Sequence, residues 1–341
     1  MLKSGTAFLL AALGMAAAGA LRARAGGAAP LPSVATATGT PTWTPTHHVF
    51  PTLTPTPTPD PTLLRVTAVA PASGPAAGGT AVTISGANFV FGASVALGGA
   101  AAGDVVVVDA GQITATVPPL PAGFLADVQV TNPSLETAFL HNGWFADFLD
   151  VASSNLFHDD VVRIARGAIT AGCGGGMYCP TEAVTRAQMA VLVLKTKYGW
   201  GNPPPPPCTG VFADVACPGA YADWIEFLYQ QGITAGCGGG NYCPDAPIAR
   251  GPFATILLKA RHGWDVVPPP CQGVFSDVPC PGPFADWIEM LASEGITSGC
   301  GGGNYCPNEP VLRGPIATLL AKSFYITPAG MPGPALSRAR D

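Results

Sequence analysis

Ten cysteines are the residues of this chain best suited to chemistry, and they come in two spacings. Six form three C-x5-C pairs, Cys173/Cys179, Cys237/Cys243 and Cys300/Cys306, each enclosing three glycines. The stretch GITAGCGGGNYCP, Gly232 to Pro244, is one copy; AITAGCGGGMYCP and GITSGCGGGNYCP are the others. Four more form two C-x8-C pairs, Cys208/Cys217 and Cys271/Cys280. Such groups can hold zinc, exchange disulfides, cradle phosphate or close a ring. Zinc wants four ligands from close C-x2–4-C pairs or a Cys/His mixture, whereas each copy offers two sulfurs and no nearby histidine. Thioredoxin-type exchange wants C-x-x-C at a helix start, and a phosphate loop wants Gly-Lys-Ser/Thr after its glycines; the sequence has neither.

The repeat itself decides between the remaining options. Phe148-Leu149-Asp150-Val151, Phe212-Ala213-Asp214-Val215 and Phe275-Ser276-Asp277-Val278 each begin 25 residues before a C-x5-C cysteine, and the period is 64, then 63. One unit of supersecondary structure is used three times. In the first unit the positions matching Cys208 and Cys217 are Trp144 and Ser153, so both partners are missing together. Residues lost as a pair function as a pair. Five local disulfides are therefore expected, with no metal and no cofactor. Each C-x5-C ring is worth about 2–3 kcal/mol by loop entropy, and its glycines allow the positive φ that so small a ring needs.

The elements that position these residues follow from pattern. Each unit reads as helix, loop, helix. In the third, Phe284, Trp287, Ile288 and Leu291 fall at i, i+3, i+4 and i+7, one buried face. After the glycine loop an arginine opens the second helix: Arg186, Arg250 or Arg313. Thr185 and Gln188 make a T-x-x-Q capping box in the first unit; Ala249 and Leu312 take the cap position in the others. An arginine is unfavourable at a helix N-terminus, but it adds a guanidinium to free backbone N–H groups, which makes an anion site. The alternative is that each arginine pairs with its own unit's Asp150, Asp214 or Asp277. For Trp224 and Trp287, helical spacing points to core packing, with sugar stacking as the alternative.

Upstream, residues 63–146 carry short β-branched runs with period-two alternation, such as TAVTISGANF, QITATVP and LADVQVTNP, as in an antiparallel sandwich. Residues 26–62 alternate Pro and Thr and cannot build a core. Residues 1–25, with Lys3, an apolar run over 7–20 and Ala23-Arg24-Ala25, read as an export signal. That start, the cysteine usage and the absence of another long apolar run predict a secreted, cell-surface protein with no membrane span after cleavage. Only 11% of residues are charged, against about 25% in ordinary soluble domains, and the net charge is −5 without any Lys/Arg run. Nucleic acid is excluded as a partner, because phosphate neutralisation needs a basic footprint.

The segments PASGPAAGGTAVTISGANF, GQITATVPPLPAGFLADVQVTNP and HNGWF resemble the IPT/TIG immunoglobulin-like family, which supplies spacer and interaction modules. The three units resemble S-layer homology domains. The F-x-D-V start, Trp224 and Trp287, Tyr178, Tyr242 and Tyr305 before the second cysteine, and Thr185-Arg186-Ala187-Gln188 carry that resemblance. It implies a pseudo-threefold bundle that binds cell-wall polysaccharide, with Arg186, Arg250 and Arg313 meeting an acidic glycan. Two departures stand out: Gln188, Pro252 and Pro315 replace the family's acidic residue, and Asp160 stands where the other units have Trp.

The expected architecture is an immunoglobulin-like β-sandwich, then an all-α array of three repeats at 147–202, 208–265 and 271–326, then a flexible tail over 327–341. Paired carboxylates, Ser/His/Asp, HExxH and Cys/His arrangements with usable spacing do not occur, and Asp159-Asp160 sits at a helix start where acids are simply favourable. The expected function is non-catalytic anchoring to an acidic envelope polysaccharide while the sandwich is presented outward. The alternatives are a disulfide-stapled adhesion or matrix module with a protein partner and, with less support, a hydrolase whose site lies in the sandwich.

Overall fold

The computed structural model describes residues 62–199 and 205–326. The expected signal peptide, the Pro/Thr segment up to residue 61 and the tail lie outside the described residues. Among the described residues nine strands come first, and six helices follow.

The strands form two facing sheets. One has the order β1 (Arg65–Ala70), β3 (Ala81–Ala87), β7 (Gln112–Thr116), β6 (Gly103–Asp109). The other runs β2 (Ser73–Gly74), β9 (Thr137–Ala146), β8 (Leu125–Thr131), β4 (Ser94–Leu97), β5 (Ala100–Ala101). Pairing is antiparallel except for the short β2–β9 contact. Alternate residues turn inward: Val82 and Ile84, Ile113 and Ala115, Val128 and Val130 meet Val95, Leu97 and Trp144 in one apolar core. Period-two patterning makes this arrangement stable, because burying one face forces the other toward water. The ten-residue β9 escapes a pattern reading. Its alternation breaks at His141-Asn142-Gly143, where the β8–β9 register shifts across Ala126 and Val128.

The helices are of two kinds. α1 (His158–Arg166), α3 (Ala222–Gln230) and α5 (Ala285–Ser293) are short, and α3 and α5 bury one face each. In α5 that face is Ala285, Ile288 and Leu291; Phe284 and Trp287, expected on it, are only half-buried, because Glu289 turns inward instead. α2 (Arg186–Tyr198), α4 (Arg250–His262) and α6 (Arg313–Ser323) are buried on nearly every side. Helices buried on nearly every side belong in the middle of a bundle. Each short helix packs chiefly on the long helix of another unit: α3 on α2, α5 on α4, and α1 on α6. A hydrogen-bonded cycle links the three loops that precede the long helices. Val184 N–H donates to Val311 C=O at 2.9 Å, Val311 N–H to Ile248 C=O at 2.9 Å, and Ile248 N–H to Val184 C=O at 2.9 Å.

The sandwich meets the first unit directly. Phe145 at the end of β9 belongs to the helical core and stands 5.4 Å from Phe148, which stands 5.5 Å from Tyr178. Arg166 at the end of α1 donates to Ala72 C=O at 2.7 Å and to Asn142 C=O at 3.1 Å.

Candidate functional site

Five disulfides join Cys173–Cys179, Cys208–Cys217, Cys237–Cys243, Cys271–Cys280 and Cys300–Cys306, with Cα separations of 5.9–6.1 Å. Cys237, Cys243 and Asp214 lie together, as do Cys300, Cys306 and Asp277, and Cys208, Cys217 and Glu226. The thiolates that a metal would require are consumed in S–S bonds in all three groups. In the glycine loop of the second unit, Gly238, Gly239 and Gly240 have φ of 105°, 60° and 79°. Cys237 N–H donates to Asn241 C=O at 2.8 Å and closes the turn. The second cysteine of each ring also has positive φ, 58–60°.

That geometry aims two successive N–H groups at one carboxylate. Asp214 accepts from Tyr242 N–H and Cys243 N–H, both at 2.7 Å. Asp150 accepts from Tyr178 and Cys179, and Asp277 from Tyr305 and Cys306, all at 2.7 Å. Burial would raise the Asp214 and Asp277 carboxyls. The backbone hydrogen bonds, helped by the charges of Arg186 and Arg250, hold them below the usual carboxylate range.

The arginines do not pair with their own unit's aspartate. Each reaches across to another unit. Arg186 Nε donates to Tyr242 C=O at 2.7 Å, Arg250 Nε to Tyr305 C=O at 2.8 Å, and Arg313 Nε to Tyr178 C=O at 2.7 Å. The tyrosine hydroxyls answer: Tyr242 O–H donates to Arg186 C=O at 2.9 Å, Tyr305 to Arg250 at 3.0 Å, and Tyr178 to Arg313 at 2.7 Å. Each guanidinium lies 4.7–4.9 Å from that tyrosine's ring centre, within cation–π range. Burial raises all three phenols, Tyr305 to about 12, so they stay protonated as donors.

The expectation of free N–H groups at the helix mouths also fails. Arg186 N–H and Ala187 N–H donate to Ala246 and Pro244 C=O of the second unit. Arg250 and Gly251 donate to Glu309 and Pro307, and Arg313 and Gly314 to Glu182 and Pro180. The helix starts are docked on neighbouring loops, which explains how α4 and α6 tolerate Ala249 and Leu312 as caps without a side-chain bond. α2 has its Thr185/Gln188 capping box as well.

What remains open is on the guanidinium. Arg186 and Arg313 are 8% and 7% exposed, and Nη2 of each has no hydrogen-bond partner among the described residues. A buried guanidinium N–H without an acceptor is costly. Trp224 and Trp287 are half-buried at the edge of the helical core, and Lys259 Nζ stands 5.8 Å from the Trp287 ring. The equivalent position in the first unit, Asp160, accepts from Thr318 Oγ1 on α6 at 2.6 Å.

Sequence reasoning missed the second set of carboxylates. Glu226 accepts from the N–H groups of Thr209, Gly210 and Val211 at 2.6–2.9 Å. Glu289 binds Gln272, Gly273 and Val274 N–H in the same way. Both units carry D-W-I-E, and the first unit has Val162 there. That loss accompanies the missing C-x8-C pair and was the available signal.

Residues 64–145 match the IPT/TIG domain family. The chain is 30% identical over 162 residues to S-layer protein EA1 of Bacillus anthracis, covering 46% of this chain and 18% of that protein. It is 26% identical over 162 residues to a cellulosome-anchoring protein of Acetivibrio thermocellus, covering 45% and 34%. It is 28% identical over 179 residues to an S-layer protein of Bacillus licheniformis, covering 51% and 19%. The chain thus spans between 18% and 34% of the length of these relatives. The solved TIG domain of human nuclear factor of activated T-cells, cytoplasmic 4, is 19% identical, with a TM-score of 0.22, over 26% of this chain and 91% of that one. Among the described residues no helix is long and apolar enough to cross a membrane.

Proposed function

We propose that this is a non-catalytic cell-surface protein whose helical half is a pseudo-threefold bundle of S-layer homology repeats, at 147–202, 208–265 and 271–326, that grips an acidic envelope polysaccharide. The observation that carries this reading is the threefold recurrence of an arginine that crosses to a neighbouring unit's tyrosine beside a backbone-fixed aspartate: Arg186 with Tyr242 and Asp214, Arg250 with Tyr305 and Asp277, Arg313 with Tyr178 and Asp150. Guanidinium groups pair with the carboxylates of an acidic glycan through charge-assisted hydrogen bonds. Arg250 has the same Nε and ring contacts and completes the set. The names of the relatives, S-layer and cellulosome-anchoring proteins, support attachment to an envelope. Five disulfides fit an exported protein in an oxidising compartment.

The test is co-sedimentation of the full chain with protein-stripped envelope polysaccharide, before and after chemical reduction of its carboxyl groups. Sedimentation that disappears after carboxyl reduction is the expected outcome. Sedimentation only with protein-bearing envelope would assign the helical half to a protein partner. Sedimentation insensitive to carboxyl reduction would remove the acidic ligand.

A further inference from the structure

The outer face of the five-stranded sheet carries a groove that the anchoring function does not use. It has a volume of about 410 Å³ and is lined by the Gly98-Gly99 turn, Phe124, Asp127, Gln129, Phe139 and Asn142 among others. Outward positions on such a sheet are ordinarily polar. Here Phe139 of β9 takes one, 47% exposed, and Phe124, just before β8 and 40% exposed, lines the same groove.

The groove is built rather than incidental. Phe139 and Gln129 are cross-strand partners on β9 and β8. The Phe139 ring is parallel to that of His141, 1° between planes and 5.8 Å between centres. His141 Nδ1 contacts Asp127 Oδ2 at 2.9 Å, and Asp127 Oδ1 accepts from Asn142 N–H at 2.7 Å. The Asn142 bond is the main reason the Asp127 carboxyl lies below its ordinary value, so it is an anion at neutral pH. Asn142 C=O is in turn held by Arg166 of α1. Carboxylate and backbone are thus tied together before any ligand arrives, which reduces the ordering cost of binding. Gly98 makes room for Phe124: a Cβ there would come within 2.7 Å of the ring.

We propose that this groove binds a neutral pyranose chain. The flat C–H face of a sugar ring packs on exposed aromatic rings. Its hydroxyls are donors for a fixed carboxylate and for the amide oxygens of Gln129 and Asn142. Lys and Arg are missing from the lining, and the Asp127 charge repels uronates or phosphates. The charge preference is opposite to that of the arginine sites in the helical half.

Saturation-transfer NMR and calorimetry on the full chain, with short neutral β-glucan, xylan, mannan and α-glucan oligosaccharides and one uronate oligosaccharide as contrast, test this. At least one neutral oligosaccharide should bind, with saturation concentrated on its C–H protons. Phe139→Ala should weaken it by about tenfold or more, and Asp127→Asn by about threefold or more. Both residues lie on the surface, so an unchanged Tm checks folding. Arg186→Lys should leave this binding untouched, which separates it from any failure of the anchoring reading. Three results overturn the proposal: no neutral oligosaccharide binds, the uronate binds as well as the neutral chains, or Phe139→Ala binds as tightly as the parent.

Discussion

Units two and three enter their first helix through a stapled loop, whereas unit one enters it from the sandwich. In the stapled entries, a C-x8-C disulfide and a buried glutamate hold the loop: Cys208–Cys217 with Glu226, and Cys271–Cys280 with Glu289. In the sandwich entry, Trp144 occupies the place of the first cysteine and is fully buried between sheets, and Val162 occupies the place of the glutamate. Asp147, His158 and Arg166 make the joint instead. A short loop with little apolar surface needs covalent and charge-assisted fixing, while a folded neighbour makes both unnecessary.

The largest effect is expected where a stapled entry loses its acceptor. Glu226→Ala removes the one carboxylate that three loop N–H groups share and should cost about 3 kcal/mol, read as a fall in Tm. Val162→Ala at the matching position should cost about 1 kcal/mol. Equal losses at the two sites would break the comparison. Next in size, Cys208→Ala with Cys217→Ala should cost about 2–3 kcal/mol by loop entropy, measured by denaturant unfolding. Arg166→Ala should cost about 1–2 kcal/mol, and should speed proteolysis between residues 147 and 157 without affecting the loops at 208–217 and 271–280.

The smallest effect is a difference in pH response. His158 is buried between two carboxylates, with Nε2 3.2 Å from Asp147 and Nδ1 3.0 Å from Asp159. Burial would lower its pKa, but these two acids, the titratable groups that face it, raise it above its ordinary 6.5. Its contribution is complete below that ordinary value and is lost as pH rises through the raised one. Burial also raises Asp147, whose contribution is likewise lost with rising pH. The joint should therefore loosen toward alkaline pH, and His158→Gln should flatten the response. Asp214 and Asp277 have lowered values, so the loops they hold keep their stability above the ordinary 3.8 and lose it as pH falls through the folded values. Hydrogen exchange against pH should show the two regions opening in opposite directions.

Much of this was legible in residue types and spacing. The sandwich core follows from alternation in β3, β7 and β8, and the threefold recurrence follows from cysteine periodicity. Partners between units were not legible, because an aligned repeat says which residues are equivalent but not which copies touch. Arg186 and Asp214 belong to different units, and a one-unit view pairs Arg186 with Asp150. Glu226 reads as an ordinary helical acid until the loop N–H groups it faces are known. Phe139 and His141 sit in a strand whose pattern is interrupted, so the groove they form needs the fold to bring β8 alongside.

In the proposed function, polysaccharide is gripped where arginines cross between units. Hydrogen exchange of the full chain with and without purified envelope polysaccharide tests it most directly. Protection is predicted in the segments containing Tyr178, Tyr242 and Tyr305 and at the starts of α2, α4 and α6. Protection confined to residues 64–145, or none anywhere in the chain, would contradict it.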